Sequence, residues 1–119
     1  MNIKQYAFTR ESRLLTPKQY SNVFEKAIPA TSPHITILAR HNNLDIARLG
    51  MTIPKKKVKL AVNRNRLKRC IRENFRLNTH RLPNVDIIVI AKHGINNLNN
   101  HELSHQLDKL WTKISSRCK

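Results

Sequence analysis

Asn63-Arg64-Asn65-Arg66-Leu67-Lys68-Arg69-Cys70-Ile71-Arg72-Glu73-Asn74-Phe75-Arg76 is the stretch around which this chain is organised. Arg64, Arg66, Lys68, Arg69, Arg72 and Arg76 are basic, yet Leu67, Ile71 and Phe75 recur at every fourth position. That spacing stacks the three apolar side chains along one edge of an α-helix. At roughly 100° per residue, Arg66, Lys68, Arg69, Arg72 and Arg76 spread over the other side. The apolar edge needs a core to rest on, so the helix predicts a second layer. The cationic side needs a polyanion.

On the N-terminal side, Lys55-Lys56-Lys57-Val58-Lys59 is a basic loop leading into the helix. Before it, Ala47 to Ile53 reads as a strand with Gly50 inside it and Pro54 closing it, and Ile35-Thr36-Ile37-Leu38-Ala39 as another. His41-Asn42-Asn43 supplies the turn between them. Pro29 and Pro33 force an extended passage. Thr16-Pro17 has the form of an N-cap followed by proline at the first helical position, opening a helix to about Lys26 with Tyr20 and Phe24 one turn apart. Residues 1–13 are polar and basic and are expected to be loosely held.

On the C-terminal side the basic helix lasts to about Arg81 and Pro83 stops it. Val85-Asp86-Ile87-Ile88-Val89-Ile90-Ala91 is nearly all apolar, as fits a strand covered on both faces or lying centrally. Asn99 and Glu102 form a capping-box pattern, and Leu103, Leu107, Leu110, Trp111 and Ile114 mark a last amphipathic helix. The order is α-β-β-β-α-β-α, an α/β (α+β) two-layer sandwich of one small sheet with helices packed on it. The whole of 1–119 reads as one domain.

Lys and Arg number 23 against 7 Asp and Glu, a formal charge of +16. Charge of that size repels itself in the compact state and implies a partner that neutralises it. Nucleic acid comes first and an anionic membrane surface second. Two glycines and 39% hydrophobic residues fit a globular domain rather than a disordered basic tail. No stretch approaches the ~20 apolar residues that span a bilayer. Cys70 and Cys118 are read as free thiols in a reducing cytoplasm.

Arginine's planar fork suits phosphate oxygens and stacks on bases, so the basic helix is the main candidate interface. Tyr20 and Phe24 are open to two readings, core packing or a platform for unpaired bases. Trp111 belongs to the core. His101 and His105 stand four apart, but no cysteine or carboxylate completes a metal site. The seven acids, Glu11, Glu25, Asp45, Glu73, Asp86, Glu102 and Asp108, are scattered, and no pair resembles a two-metal nuclease centre. Binding chemistry is expected, with no catalytic residue.

Arg64-Asn65-Arg66-x-Lys68-Arg69-x-x-Arg72-Glu73-x-Phe75-Arg76 resembles the signature of the bacterial ribonuclease P protein family. Leu15-Thr16-Pro17-x-x-Tyr20-x-x-Val23-Phe24 is similar to that family's first helix. Arg48-Leu49-Gly50-x-x-Ile53-x-Lys55-Lys56 is similar to its central strand, and Asp86 to Lys92 to its last strand. The resemblance covers about residues 8–114. It implies a small cofactor of a ribozyme whose RNA, using Mg²⁺ held by RNA and substrate, removes the 5′ leader of precursor tRNA. It implies a 1:1 ribonucleoprotein in the cytoplasm, with no protein partner and no membrane. Arg64, Asn65, Arg66, Lys68, Arg69, Arg72 and Arg76, with Lys55 and Lys56, would face the catalytic RNA. Tyr20, Phe24, Leu38 and Arg48 would line a cleft for the single-stranded leader. Leu38 stands where relatives often carry an aromatic residue, and Pro54 where a small one is common. The family fold also implies a left-handed crossover through the basic helix, against a general rule that is right-handed in ~98% of cases. Two rivals share the charge: a ribosomal or other structural RNA-binding protein, which needs no cleft, and a protein-only nuclease, which needs clustered carboxylates.

Overall fold

A computed structural model of the protein describes residues 10–118. Three helices, α1 (Pro17–Glu25), α2 (Ala61–Asn78) and α3 (Asn100–Arg117), accompany four strands, β1 (Ile28–Thr31), β2 (Ile35–His41), β3 (Arg48–Thr52) and β4 (Val85–Ala91). The sheet order is β1-β2-β4-β3. β2 runs antiparallel to β1 and to β4, while β3 runs parallel to β4.

Local chemistry accounts for the helix ends. Thr16 accepts the Gln19 N–H and Gln19 reaches back to the Thr16 N–H, a capping box that starts α1 ahead of Pro17. Asn99 and Glu102 do the same for α3. α2 has no such cap: Leu60 stands at its N-cap position. A short 3₁₀ turn, Thr79–Arg81, carries α2 to its stop before Pro83.

Alternation along the strands separates two cores. Ile35, Ile37, Ala39, Leu49, Val85, Ile87 and Val89 turn to one face and meet α2 and α3 in the main core. Leu67, Ile71 and Phe75 are fully buried there, as their spacing predicts. Each such side chain contributes about 1.5–3 kcal/mol on burial, enough to fix the rotation of α2 about its axis. Trp111 meets Phe75 edge to face, with ring centroids 5.9 Å apart. Its indole N–H donates to Asn74 Oδ1 at 2.5 Å, joining α3 to α2. On the other face Leu14, Val23 and Ile88 form a smaller cluster beneath α1. β4 is covered on both sides, which is why its sequence runs apolar without alternation.

The hand of the β3–α2–β4 crossover follows from backbone pairing. The Lys92 N–H donates to His34 O at 3.0 Å, and the register pairs Ile35 with Ala91. Even-numbered residues of β4 therefore turn their backbone groups to β2, and Ile87 and Val89 turn theirs to β3. Ile87 and Val89 point their side chains at the α2 core. For L-residues on a strand pointing up, side chains facing the viewer go with backbone groups on the right. β3 thus lies right of β4, and the chain crosses leftward in front of the sheet. The connection is left-handed, the uncommon hand.

Both sheet edges are closed. At β1, Pro29 has no N–H to offer, Arg117 donates to the Pro29 carbonyl at 2.5 Å, and Lys113 donates to the Thr31 carbonyl at 3.1 Å. At β3, Arg13 forms a parallel bridge with Leu49, and the Leu14 N–H donates to Leu49 O at 2.9 Å. Of the segment expected to be loose, residues 1–9 lie outside the described residues. Arg10–Ser12 form a 3₁₀ turn and Arg13 is tied to the sheet. The reason is that the β3 edge offers free backbone groups.

Candidate nucleic-acid interface

The cationic side of α2 is not one uniform row. Asn65, Lys68, Arg69, Arg72 and Arg76 share an open groove with Arg13 and Glu73. Lys68, Arg69 and Arg72 bond to no described residue, so their charges are available. Arg76 pairs with Glu73 one turn back, and its guanidinium holds the Glu73 carboxyl below its ordinary range. Arg64 and Arg66 are committed elsewhere. Arg64 donates to the carbonyls of Val58 and Lys59 at 3.0 and 2.8 Å, closing the lysine loop onto the helix. Arg66 donates to Asn100 Oδ1 at 2.7 Å and Leu98 O at 3.1 Å, bracing the start of α3. The expected fan of five cations thus narrows, because Arg66 turns toward α3. Lys55 and Lys56 are exposed at the entry to α2.

The α1 face of the sheet carries the other predicted group. Strand register sets three rows across β2, β4 and β3: Thr36, Ile90 and Thr52; Leu38, Ile88 and Gly50; Arg40, Asp86 and Arg48. Tyr20 lies over the middle row. A Cβ added at Gly50 would sit 2.8 Å from three atoms of the Tyr20 ring. The Tyr20 hydroxyl accepts the Met51 N–H at 3.3 Å. Glycine is therefore what lets an aromatic ring lie flat on an edge strand. Phe24, one turn on, is 50% exposed. Leu38 and Ile90 are half-buried beside Tyr20. An apolar trough with an open aromatic wall ends in a row of charges, an arrangement suited to stacking unpaired bases and holding their phosphates.

Arg48 and Arg40 are both held. Arg48 forms a two-pronged pair with Asp86, both bonds 2.7 Å, which raises its pKa. Arg40 donates to Asn22 O at 2.5 Å and lies 4.0 Å from Glu25. Reading the sequence missed Arg13 and Arg40. Arg40 was legible in principle, two residues beyond Leu38 on the same face of a strand. Arg13 depends on edge pairing that no local pattern announces.

Gly50→Ala should push Tyr20 off the sheet and cost about 1–3 kcal/mol in unfolding free energy. Combining it with Tyr20→Ala should recover much of that loss. A full Gly50→Ala penalty in the double variant would show that the clash lies elsewhere.

No three His, Cys, Asp or Glu side chains among the described residues gather to hold a metal ion. Asp86 is occupied by Arg48 and Glu73 by Arg76. Cys70 and Cys118 are unbridged, and burial pushes the Cys118 thiol up. No helix among the described residues is long and apolar enough to cross a membrane.

Comparison with known proteins agrees with this geometry. The family model for Ribonuclease P matches residues 8–115. The ribonuclease P protein component of Vibrio campbellii is 56% identical over 110 residues, 92% of this chain and 93% of that protein. That of Pseudoalteromonas atlantica is 52% identical over 112 residues, covering 94% and 93%. The structure of the Staphylococcus aureus RNase P protein superposes with a TM-score of 0.81 at 27% identity, covering 91% of this chain and 98% of that one. The Thermotoga maritima RNase P protein gives 0.78 at 28%, covering 86% and 96%. The arginine-rich helix, the sheet order and these matches along nearly the whole length lead to one conclusion: the chain belongs to the ribonuclease P protein family.

Proposed function

We propose that this protein is the subunit that joins the catalytic RNA of ribonuclease P and, within that holoenzyme, holds the 5′ leader of precursor tRNA. The RNA performs the chemistry. Mg²⁺ would be held by RNA and substrate, where it would supply the activated water for phosphodiester hydrolysis, and no residue of this chain is given a catalytic role. The complex is one protein per RNA and works in the cytoplasm.

The two faces divide the work. Lys68, Arg69 and Arg72, with Asn65, Arg76, Lys55 and Lys56 around them, lie along phosphates of the catalytic RNA. Each neutralised phosphate releases counterion, so assembly weakens steeply with salt. Arg64 and Arg66 act by shaping the ends of this surface as much as by touching RNA. On the other side of the sheet the leader lies in the trough of Tyr20, Phe24, Leu38 and Arg48. The observation that carries this reading is Tyr20 laid on the sheet beside Leu38 and Ile90, with Phe24, one turn on in α1, left half-exposed. A core aromatic would be buried, as Phe75 is.

Cleavage of precursor tRNA should require both this protein and a bacterial ribonuclease P RNA at low Mg²⁺. Cleavage by the protein alone would overturn the reading, and no stimulation of the RNA would favour a structural RNA-binding role. Phe24→Ala should weaken holoenzyme binding of precursor tRNA by about 1–3 kcal/mol, the worth of one stacked base. Binding of mature tRNA should stay unchanged. Equal losses for both would assign Phe24 to packing.

A further inference from the structure

Asp86 is the only buried carboxylate among the described residues, 7% exposed in a chain of charge +16. It takes three donors. Arg48 Nε and Nη2 approach its two oxygens at 2.7 Å each, and Asn42 Nδ2 approaches Oδ1 at 2.9 Å. Asn42 also ties down the loop after β2: its Nδ2 donates to Ile46 O at 2.9 Å and its Oδ1 accepts the Leu44 N–H at 2.8 Å. One carboxylate thus fixes both an arginine at the mouth of the trough and the turn beside it.

Sheet cohesion alone does not require this pair. β3 and β4 are already joined by a five-residue parallel ladder and by Leu49, Ile87 and Val89, which share the main core on one face. A buried ion pair is weak evidence for stability, since desolvation offsets most of its attraction. What it does supply is orientation. An arginine has five N–H donors and Asp86 engages two of them. The other three have no partner among the described residues, and the Arg48 side chain stays 18% exposed. A free arginine at this position would sample many rotamers. Held by Asp86, it presents a planar donor edge at one place beside the apolar trough.

We infer that Asp86 is a positioning residue for leader capture: it sets the Arg48 guanidinium to bind one phosphodiester group of a single-stranded RNA entering the trough. The inference rests on the leader-cleft reading above and deepens it. Asp86 itself touches no RNA, because its oxygens are taken. The Arg40 guanidinium, across Asp86 in the same row, is turned to Asn22 and α1. Arg48 is therefore the donor of that row left facing the substrate.

Three variants test this in the reconstituted holoenzyme. Asp86→Asn should weaken precursor tRNA binding about tenfold, leave mature tRNA binding unchanged, and leave kcat at saturating substrate unchanged. Arg48→Lys keeps a cation beside Asp86 but lacks the fork, and it should lose precursor affinity similarly. The swap Arg48→Asp with Asp86→Arg rebuilds the ion pair across the same register but moves the guanidinium to the central strand. It should regain the thermal midpoint lost in Asp86→Asn without regaining precursor affinity. A swap that restores both properties, or an Arg48→Lys variant that binds precursor normally, would overturn the inference. If the parent holoenzyme binds precursor and mature tRNA equally, the cleft reading itself fails, a separate outcome.

Discussion

Replacing Lys68, Arg69 and Arg72 together by alanine should leave the protein folded and cripple its assembly with ribonuclease P RNA. These side chains make no hydrogen bond or ion pair to a described residue, so their loss removes no internal polar contact. It also relieves some of the self-repulsion of a +16 chain, and thermal stability should hold or rise slightly. The loss falls on the RNA. Each phosphate contact contributes roughly 0.7–0.9 to the slope of log affinity against log salt, so three lost contacts should flatten it by about 2–3. Filter binding between low and physiological salt measures this directly. A parent-like slope would mean that the groove does not meet RNA. Arg64→Ala and Arg66→Ala make a useful contrast. Arg64→Ala frees two carbonyls before α2 and Arg66→Ala frees Leu98 O and Asn100 at the start of α3, so each should lower stability as well as affinity.

Trp111→Ala should cost about 3–5 kcal/mol, the usual range for deleting a buried indole. That is a large share of the 5–15 kcal/mol that holds a typical domain together. The ring is fully buried, stacks edge to face on Phe75, and bonds through its N–H to Asn74. Both partners belong to α2, so the tryptophan couples the last helix to the one that carries the cations. Trp111→Phe keeps much of the apolar contact but leaves Asn74 without this donor, and it should fall between parent and alanine variant. Urea unfolding followed by far-ultraviolet circular dichroism measures this, since the alanine variant lacks the chain's single tryptophan. A loss below about 1 kcal/mol would show that α3 collapses onto α2 without the ring.

The parts that could be read from the sequence are those that local chemistry specifies. Leu67, Ile71 and Phe75 lie within a few turns of each other, and their spacing alone selects a helix and its buried edge. Val85–Ala91, apolar but for Asp86, declares a doubly covered strand by its lack of alternation. Thr16 with Pro17, and Asn99 with Glu102, mark helix starts because a capping side chain bonds only three residues away. β1 was harder to read. Pro29 breaks the strand pattern, and only the neighbouring β2, with Arg117 and Lys113 of α3 covering the outer edge, makes an extended passage into a strand.

The site divides along the same line. Which residues could bind RNA was legible, because charge and aromaticity belong to the side chains themselves. Which of them are free to do so was not. Arg66 lies within the motif, yet its guanidinium is spent on the start of α3. The resemblance assigned Arg48 to the cleft, but its direction is set by Asp86, 38 residues away. Gly50 read only as a residue inside a strand, and nothing local announces the Tyr20 ring that fills the place of its side chain.

By itself, then, the sequence determined the elements, their buried edges, the excess positive charge and, through its motif, the family. Tertiary structure alone decided the left-handed path from β3 to β4, the split of the cations between free and braced, and the rows that make the trough. The physical reason is range. Helix periodicity and caps act over three or four residues, whereas a guanidinium or a ring finds its partner only after distant strands have paired.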